Sequence, residues 1–307
     1  MNMLTRILSI KICELKSFSS QHIPFVAFAI LATGFFSCCQ EVGPYINLSG
    51  NHGSDTLGYV DSSQQKNVLI ENFTGASCPN CPQGREIIDA LLTDNPGRIV
   101  VVEVHEGALS GKVFPSDPNL VVPDGDSLAA YIGDNGSVSF WPSAAIDRRL
   151  FETSPGVFER IISRQLWQTY VPQELDSPLL VKLGINTNYD GASRKLSGSV
   201  TIAFFKTITD PISITILVTE SGIVAGQINV AVKDTFYVHR DVLRDIITNY
   251  HGDPVSGSKI QGSAWTYNLS SYIIPPEWNA DSCHIIAFVA KTQGTYDVLQ
   301  AASRPLK

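Results

Sequence analysis

Two cysteines separated by two residues are the side chains in this sequence best placed for chemistry. The stretch reads Asn67-Val-Leu-Ile-Glu-Asn-Phe-Thr-Gly-Ala-Ser77, then Cys78-Pro79-Asn80-Cys81, then Pro82-Gln-Gly-Arg-Glu-Ile-Ile-Asp-Ala-Leu-Leu. An apolar strand thus ends in a turn and delivers Cys-x-x-Cys to the start of an amphipathic helix. A cysteine at that point meets the positive end of the helix, where unsatisfied backbone N–H groups favour the thiolate. The second cysteine, one turn in, can close a disulfide with the first. Cys78 then reads as a nucleophile that attacks a substrate disulfide, and Cys81 as the resolving thiol. Two other readings compete. The pair could be a bare structural disulfide, or half of a zinc site, although the chain offers no second pair or histidine pair at a matching spacing.

The elements around the pair follow a recognisable order. Strand 67–73 leads to helix 80–93, which stops before Asn95-Pro96-Gly97. Strand 98–105 (Arg-Ile-Val-Val-Val-Glu-Val-His) is almost continuously apolar, as a strand covered on both faces should be. Residues 106–138 are irregular, with one short helix expected at 127–132. A strand then starts on Trp141-Pro142, a turn follows at Arg148-Arg149, and a short strand is expected at 150–152. Ser154-Pro155 resembles a cap with a first-turn proline, and Phe158, Ile161, Ile162, Leu166, Trp167 and Tyr170 would share one face of a helix. Strand–helix–strand–insertion–strand–strand–helix is the thioredoxin order.

From Ser177 the apolar period becomes two. Val181, Leu183 and Ile185 alternate with polar or small residues, as do Leu196 to Phe204 and Ile212 to Val218. Further strands fit 283–291 and 296–302, with a helical break expected at 241–248. The pattern predicts an antiparallel sandwich. The expectation is therefore an α/β thioredoxin-like domain over 67–172, with an insertion at 106–138, followed by an all-β immunoglobulin-like sandwich over 177–307.

Composition bounds the rest. The chain has 307 residues, 44% of them hydrophobic and 17% charged, with a net charge of −7. This describes a globular protein and argues against nucleic acid as a partner. Arg6, Lys11 and Lys16 precede an apolar run from Pro24 to Ser37, too short to span a bilayer comfortably. The run ends at Phe35-Phe36-Ser37-Cys38, which resembles a lipobox. On this reading 1–37 is a signal peptide, Cys38 carries the lipid, and the Gly/Ser-rich segment 38–66 is a tether. Plain secretion and an uncleaved anchor are the alternatives. Export would put Cys78 and Cys81 in an oxidising compartment. Cys283, in an apolar strand, reads as a buried hydrophobe.

Three segments carry a family resemblance: Val68 to Gly75 running into Cys78-Pro-Asn-Cys81-Pro82; Trp141-Pro142-Ser-Ala-Ala-Ile-Asp147; and Val238-His239-Arg-Asp-Val-Leu-Arg244. Together they resemble the outer membrane protein 28-related lipoproteins. The resemblance implies a lipid-anchored envelope protein with a thioredoxin-like part followed by an immunoglobulin-like β-domain. In thioredoxin-like proteins the proline facing the cysteines is cis, and Pro142 matches that position. Two residues depart from the usual redox pattern. Ser77 stands where Trp is common, and Asn72 replaces the buried acid six residues before the first cysteine. Glu71, on the opposite face of the strand, and His105, at the end of the next strand, are accessory candidates. His239 and Arg244 are a candidate ligand element of the β-domain. No cofactor or metal is expected. The expected partners are the membrane, through the lipid, and thiols or disulfides of exported proteins. The rival function is a non-enzymatic binding or adhesion lipoprotein with a structural disulfide. Exposure of Cys78 distinguishes the two.

Overall fold

A computed structural model describes residues 61, 63–230 and 232–307. The signal peptide, Cys38 and nearly all of the expected tether lie outside these residues.

The first half of the described chain contains β1 (Val68–Thr74), α1 (Cys81–Asp94), β2 (Ile99–His105), α2 (Pro123–Ile132), β3 (Ser143–Ile146), β4 (Phe151–Ser154), β5 (Val157–Glu159), β6 (Ile161–Ser163) and α3 (Trp167–Leu175). The second half contains β7 (Val181–Asp190), β8 (Lys195–Phe204), β9 (Ile212–Glu220), β10 (Ile223–Asn229), β11 (Val232–His239), β12 (Val242–Ile246), β13 (Asp253–Pro254), β14 (Ala264–Ile273), β15 (Cys283–Lys291) and β16 (Val298–Pro305).

Strands from both halves join one mixed nine-stranded sheet in the order β16-β15-β9-β12-β2-β1-β3-β6, with β13 also on β9. β1 and β2 run parallel, with Val68 opposite Ile99 and Thr74 opposite His105. The seam between the halves is β12, which lies parallel to β2 with Val242 opposite Glu103 and antiparallel to β9. The central strands β1, β2 and β9 are buried along their whole length. That accounts for their near-continuous apolar sequences.

This overturns the expected fold class. Among the described residues the protein is mostly β, with no separate α/β domain ahead of a separate all-β sandwich. The decisive finding is a shared core. Leu69, Val100, Val102, Leu128 and Ile132 pack in one cluster with Leu217, Leu243, Ile286, Phe288 and Val298. The 172–177 segment therefore does not divide two hydrophobic interiors. Two further clusters complete the molecule. α1 and α3 cover one face of β1–β3 through Ile88, Leu91, Trp167 and Val171. The three-stranded sheet β14-β8-β7 stacks on the β9–β15 region through Leu183, Val200, Ile202, Ile214, Ile216 and Ile285.

Two local expectations also fail. The helix expected from Ser154 is a hairpin, β4–β5, followed by β6, and α3 begins only at Trp167. Gly156 at φ +77° turns the chain just after Pro155, so Ser-Pro-Gly acts as a turn and not as a helix cap. Phe158, assigned to a buried face, is 59% exposed. The helical break at 241–248 is instead strand β12, entered through Asp241 at φ +53°. The short helix at 127–132 is real but starts earlier, on Pro123.

Candidate functional site

Cys78 lies in the turn after β1 and Cys81 is the first residue of α1, and the two form a disulfide. The turn is built from backbone bonds: Cys78 N–H donates to the Gly75 carbonyl at 3.1 Å and Ser77 N–H to the Leu109 carbonyl at 2.9 Å. Gly75 is required here, because a Cβ would come within 2.2 Å of the Leu109 oxygen. α1 continues past Pro82 to Gly84, where a Cβ would lie 2.9 Å from Pro142 Cγ and 3.3 Å from the Trp167 ring. Pro142 thus packs on α1 one turn from Cys81, and the Trp141–Pro142 peptide is cis.

The disulfide is covered. Cys78 is 1% exposed and Cys81 3%. The lid is the β10–β11 ribbon, a two-stranded sheet of its own. The Gln227 Nε2 amide lies 3.2 Å from the Gly75 carbonyl, 3.0 Å from that of Cys78 and 3.0 Å from that of Ile228. Ile228 N–H also donates to the Ala76 carbonyl at 2.8 Å. Two carbonyls of the cysteine turn are thereby clamped by one side chain.

Under the ribbon lies a cavity of about 20 Å³, lined in part by Cys81, Arg85, Glu103, His105, Gln227 and His239. The polar groups named come from α1, β2, β10 and β11. Glu103 is the one acidic residue of β2. It accepts from Asn72 Nδ2 at 2.6 Å and pairs with Arg85 at 3.3 Å, while Arg85 also reaches Asp241 at 2.8 Å. Burial outweighs the nearby Arg85 and raises the Glu103 carboxyl to about 7. His105 and His239 meet edge to face, ring centres 5.3 Å apart. Burial lowers His105 to about 3, assisted by His239 and Arg244, and lowers His239 to about 4. Both rings are therefore neutral near pH 7. Among the described residues neither His105 Nδ1 nor His239 Nε2 has a hydrogen-bond partner.

The remaining candidates lie elsewhere. Glu71 points to the other face of β1, where Arg148 Nη2 and Nε bind its two carboxylate oxygens at 2.7 and 2.8 Å. Asn72, not Glu71, faces the disulfide side. Arg244 is not among the cavity's lining residues: it pairs with Glu220 at 3.2 Å and lies over the Trp278 ring. Cys283 is fully buried, and burial pushes its thiol up to about 12. Among the described residues no cluster of three or more His, Cys, Asp or Glu side chains is placed to hold a metal.

Sequence reasoning missed Glu103, Arg85 and Gln227. Glu103 did carry a signal, being the only charge inside the apolar run Ile99–Val104. Gln227 carried none, because its role depends on a ribbon that folds back across about 150 residues.

Comparison with known proteins places the chain. The family model for outer membrane protein Omp28 matches residues 127–307. The chain belongs to the Omp28 family. This puts it at the outer membrane of the cell envelope. Among the described residues no helix is long and apolar enough to cross a membrane. Three solved structures resemble this Omp28-family chain. HBP35 of Porphyromonas gingivalis shares 18% identity over 80% of this chain and 76% of its own, with a TM-score of 0.63. Protein AGR_C_4864 from Agrobacterium tumefaciens shares 12% identity over 80% and 97%, with a TM-score of 0.51. At these identities the likeness is one of fold. A domain of the outer membrane lipoprotein Omp28 from P. gingivalis also matches, with 16% identity over 42% of this chain and 89% of its own and a TM-score of 0.27. The search of curated proteins found no match.

Proposed function

We propose that this Omp28-family chain is a non-enzymatic binding module of the envelope, anchored by lipid on Cys38, in which the Cys78–Cys81 disulfide is a structural staple. The observation that carries this reading is the burial of both sulfurs beneath the β10–β11 ribbon, held by Gln227. A nucleophilic cysteine needs a partly exposed, electropositive setting. Here both sulfurs are buried, and the guanidinium of Arg85 in the shared cavity is held by Glu103 and Asp241.

A second reading is favoured by one observation. Glu103 lines the same cavity as Cys81 and has a carboxyl raised to about 7, so it could accept the proton of a Cys81 thiol. In thiol–disulfide exchange with exported proteins, the Cys78 thiolate would attack a substrate disulfide. Cys81 would then displace the substrate sulfur and re-form Cys78–Cys81. The ribbon would have to open for that.

Alkylation after mild reduction separates the two. A staple gives slow labelling of both cysteines, and no reduction of insulin by the dithiol form. Rapid labelling of Cys78 with turnover that Cys78→Ala abolishes would establish exchange instead.

A further inference from the structure

The ribbon that covers the disulfide has a second face. Its inner side chains, Ala225, Gln227 and His239, are buried. Outside, Val224 and Val238 are register partners and both are about half exposed, Phe236 is 79% exposed, and Val230, just past the end of β10, is 64% exposed. Apolar side chains gathered on one projecting ribbon mark an interaction surface, not scattered surface hydrophobes.

We propose that this face docks on the phospholipid surface of the membrane to which the chain is tied. The composition of the patch argues for lipid over protein. It is three valines and one phenylalanine, with no Trp or Arg among them, whereas protein hot spots are rich in Trp, Tyr and Arg and poor in Val. Side chains without hydrogen-bonding groups suit an acyl boundary, which asks for apolar area and little shape complementarity. The ribbon's backbone is paired strand to strand from Ile223–His239 to Asn229–Val232. Its open edges restrict it to the hydrated interface and exclude deep insertion.

Location agrees with this. The Omp28 family belongs to the outer membrane. On the lipid-anchored reading, on which this inference rests for its geometry, 22 residues (Cys39 to Val60) separate the anchor from the described chain. Even fully extended they span at most about 80 Å. A second contact on the same bilayer is then intramolecular, and a weak one suffices.

The test separates the ribbon from the anchor. The chain from residue 38 onward, with Cys38→Ser and Cys39→Ser, is held by an N-terminal hexahistidine tag on vesicles of phosphatidylethanolamine and phosphatidylglycerol containing a nickel-chelating lipid. An environment-sensitive fluorophore is placed at Phe236→Cys, or at Ile260→Cys, an exposed apolar position outside the ribbon, without reducing the disulfide. Nitroxide-bearing phospholipids should quench the label at 236 at least twofold and leave the label at 260 unchanged. Adding Val224→Thr and Val238→Thr should abolish the quenching while the far-ultraviolet circular dichroism stays the same. Equal quenching at both positions, or none at 236 on tethered vesicles, overturns the proposal. So does a blue shift at 236 without lipid that grows with protein concentration, because that assigns the face to a second copy. Because the tag replaces the acyl chain, failure of the lipid reading of Cys38 leaves this result intact. That reading is decided separately, by acyl mass on the native chain.

Discussion

Replacing Gln227 by alanine should unlock the disulfide. The Gln227 amide has two protons and faces three carbonyls, at 3.2, 3.0 and 3.0 Å. Two hydrogen bonds at about 1 kcal/mol net each give about 2 kcal/mol. The Gly75 and Cys78 carbonyls keep the Cys78 and Cys81 N–H donors, so no cost for an unpaired carbonyl is added there. The closed ribbon should therefore lose about 2 kcal/mol relative to the open one. At about 1.4 kcal/mol per factor of ten, the open population rises roughly 30-fold. Both sulfurs are buried, so a small dithiol can reach them only from the open state. When opening is fast relative to attack, the reduction rate follows that population. The assay is the rate of Cys78–Cys81 reduction by dithiothreitol in native buffer, read by mass after alkylation. Global destabilisation could imitate the effect. Glu71→Gln serves as the control, because it damages the opposite face of β1 and touches no part of the ribbon. Reduction of Gln227→Ala within about twofold of wild type, or equal acceleration in the Glu71→Gln control, would refute the argument that Gln227 holds the cover.

Four other outcomes follow from the same geometry. Glu71→Gln should cost about 3–5 kcal/mol in urea unfolding, because Arg148 would lose its charged partner in the interior, and the double replacement Glu71→Leu/Arg148→Met should restore much of it. Gly84→Ala should destabilise by about 1–3 kcal/mol despite alanine's better helix propensity, since the new Cβ meets Pro142 and Trp167. Glu103 is raised to about 7 from an ordinary 4.5, so the folded chain holds more protons than the unfolded one in that window and stability falls as pH rises through it; His105 and His239, lowered to about 3 and about 4 from 6.5, work in the opposite sense. Glu103→Gln should therefore gain about 3 kcal/mol relative to wild type between pH 4.5 and pH 7, read from urea midpoints at each pH. Mass spectrometry of the membrane form should find acyl mass on Cys38, and an unmodified N-terminus elsewhere would remove the lipid anchor from the function.

The parts of this fold that were legible in sequence are those whose cause is local. β1, α1 and β2 show themselves through apolar runs, the proline and the Asn-Pro-Gly stop. The second half shows itself through its period of two. What misled was also local. Ser154-Pro155 fits a helix start, and only Gly156 at φ +77° decides for a hairpin. The seam was not legible at all. β12 is five residues, Val-Leu-Arg-Asp-Ile, whose pattern suits a helix as well as a strand, and its partner Glu103 is 139 positions away. Pairing of that range leaves no periodic mark on either segment, so a shared sheet looks like two domains when read along the chain. The candidate site divides in the same way. The cysteines and Pro142 announce themselves by type and spacing, whereas the lid, which decides whether the cysteines can react, comes from residues that resemble an ordinary exposed hairpin.

The burial of the disulfide also bears on why it exists. Closing a loop of four residues restricts the unfolded chain by only about 2 kcal/mol, against about 3 kcal/mol for a loop of fifteen. Global stability is thus a weak reason for it. Its local effect is larger in kind. The bond fixes the turn whose carbonyls at Gly75, Ala76 and Cys78 receive Gln227 and Ile228. If the turn frays, three acceptors lose their positions together and the ribbon loses its seat. The disulfide and the ribbon therefore protect each other: the bond orders the acceptors, and the donors exclude the reductant. On this account the pair sets the orientation of an apolar face, Val224, Phe236 and Val238, relative to the rest of the protein. A bond with that task must stay closed while the module is in use, and burying both sulfurs serves that end better than exposing one.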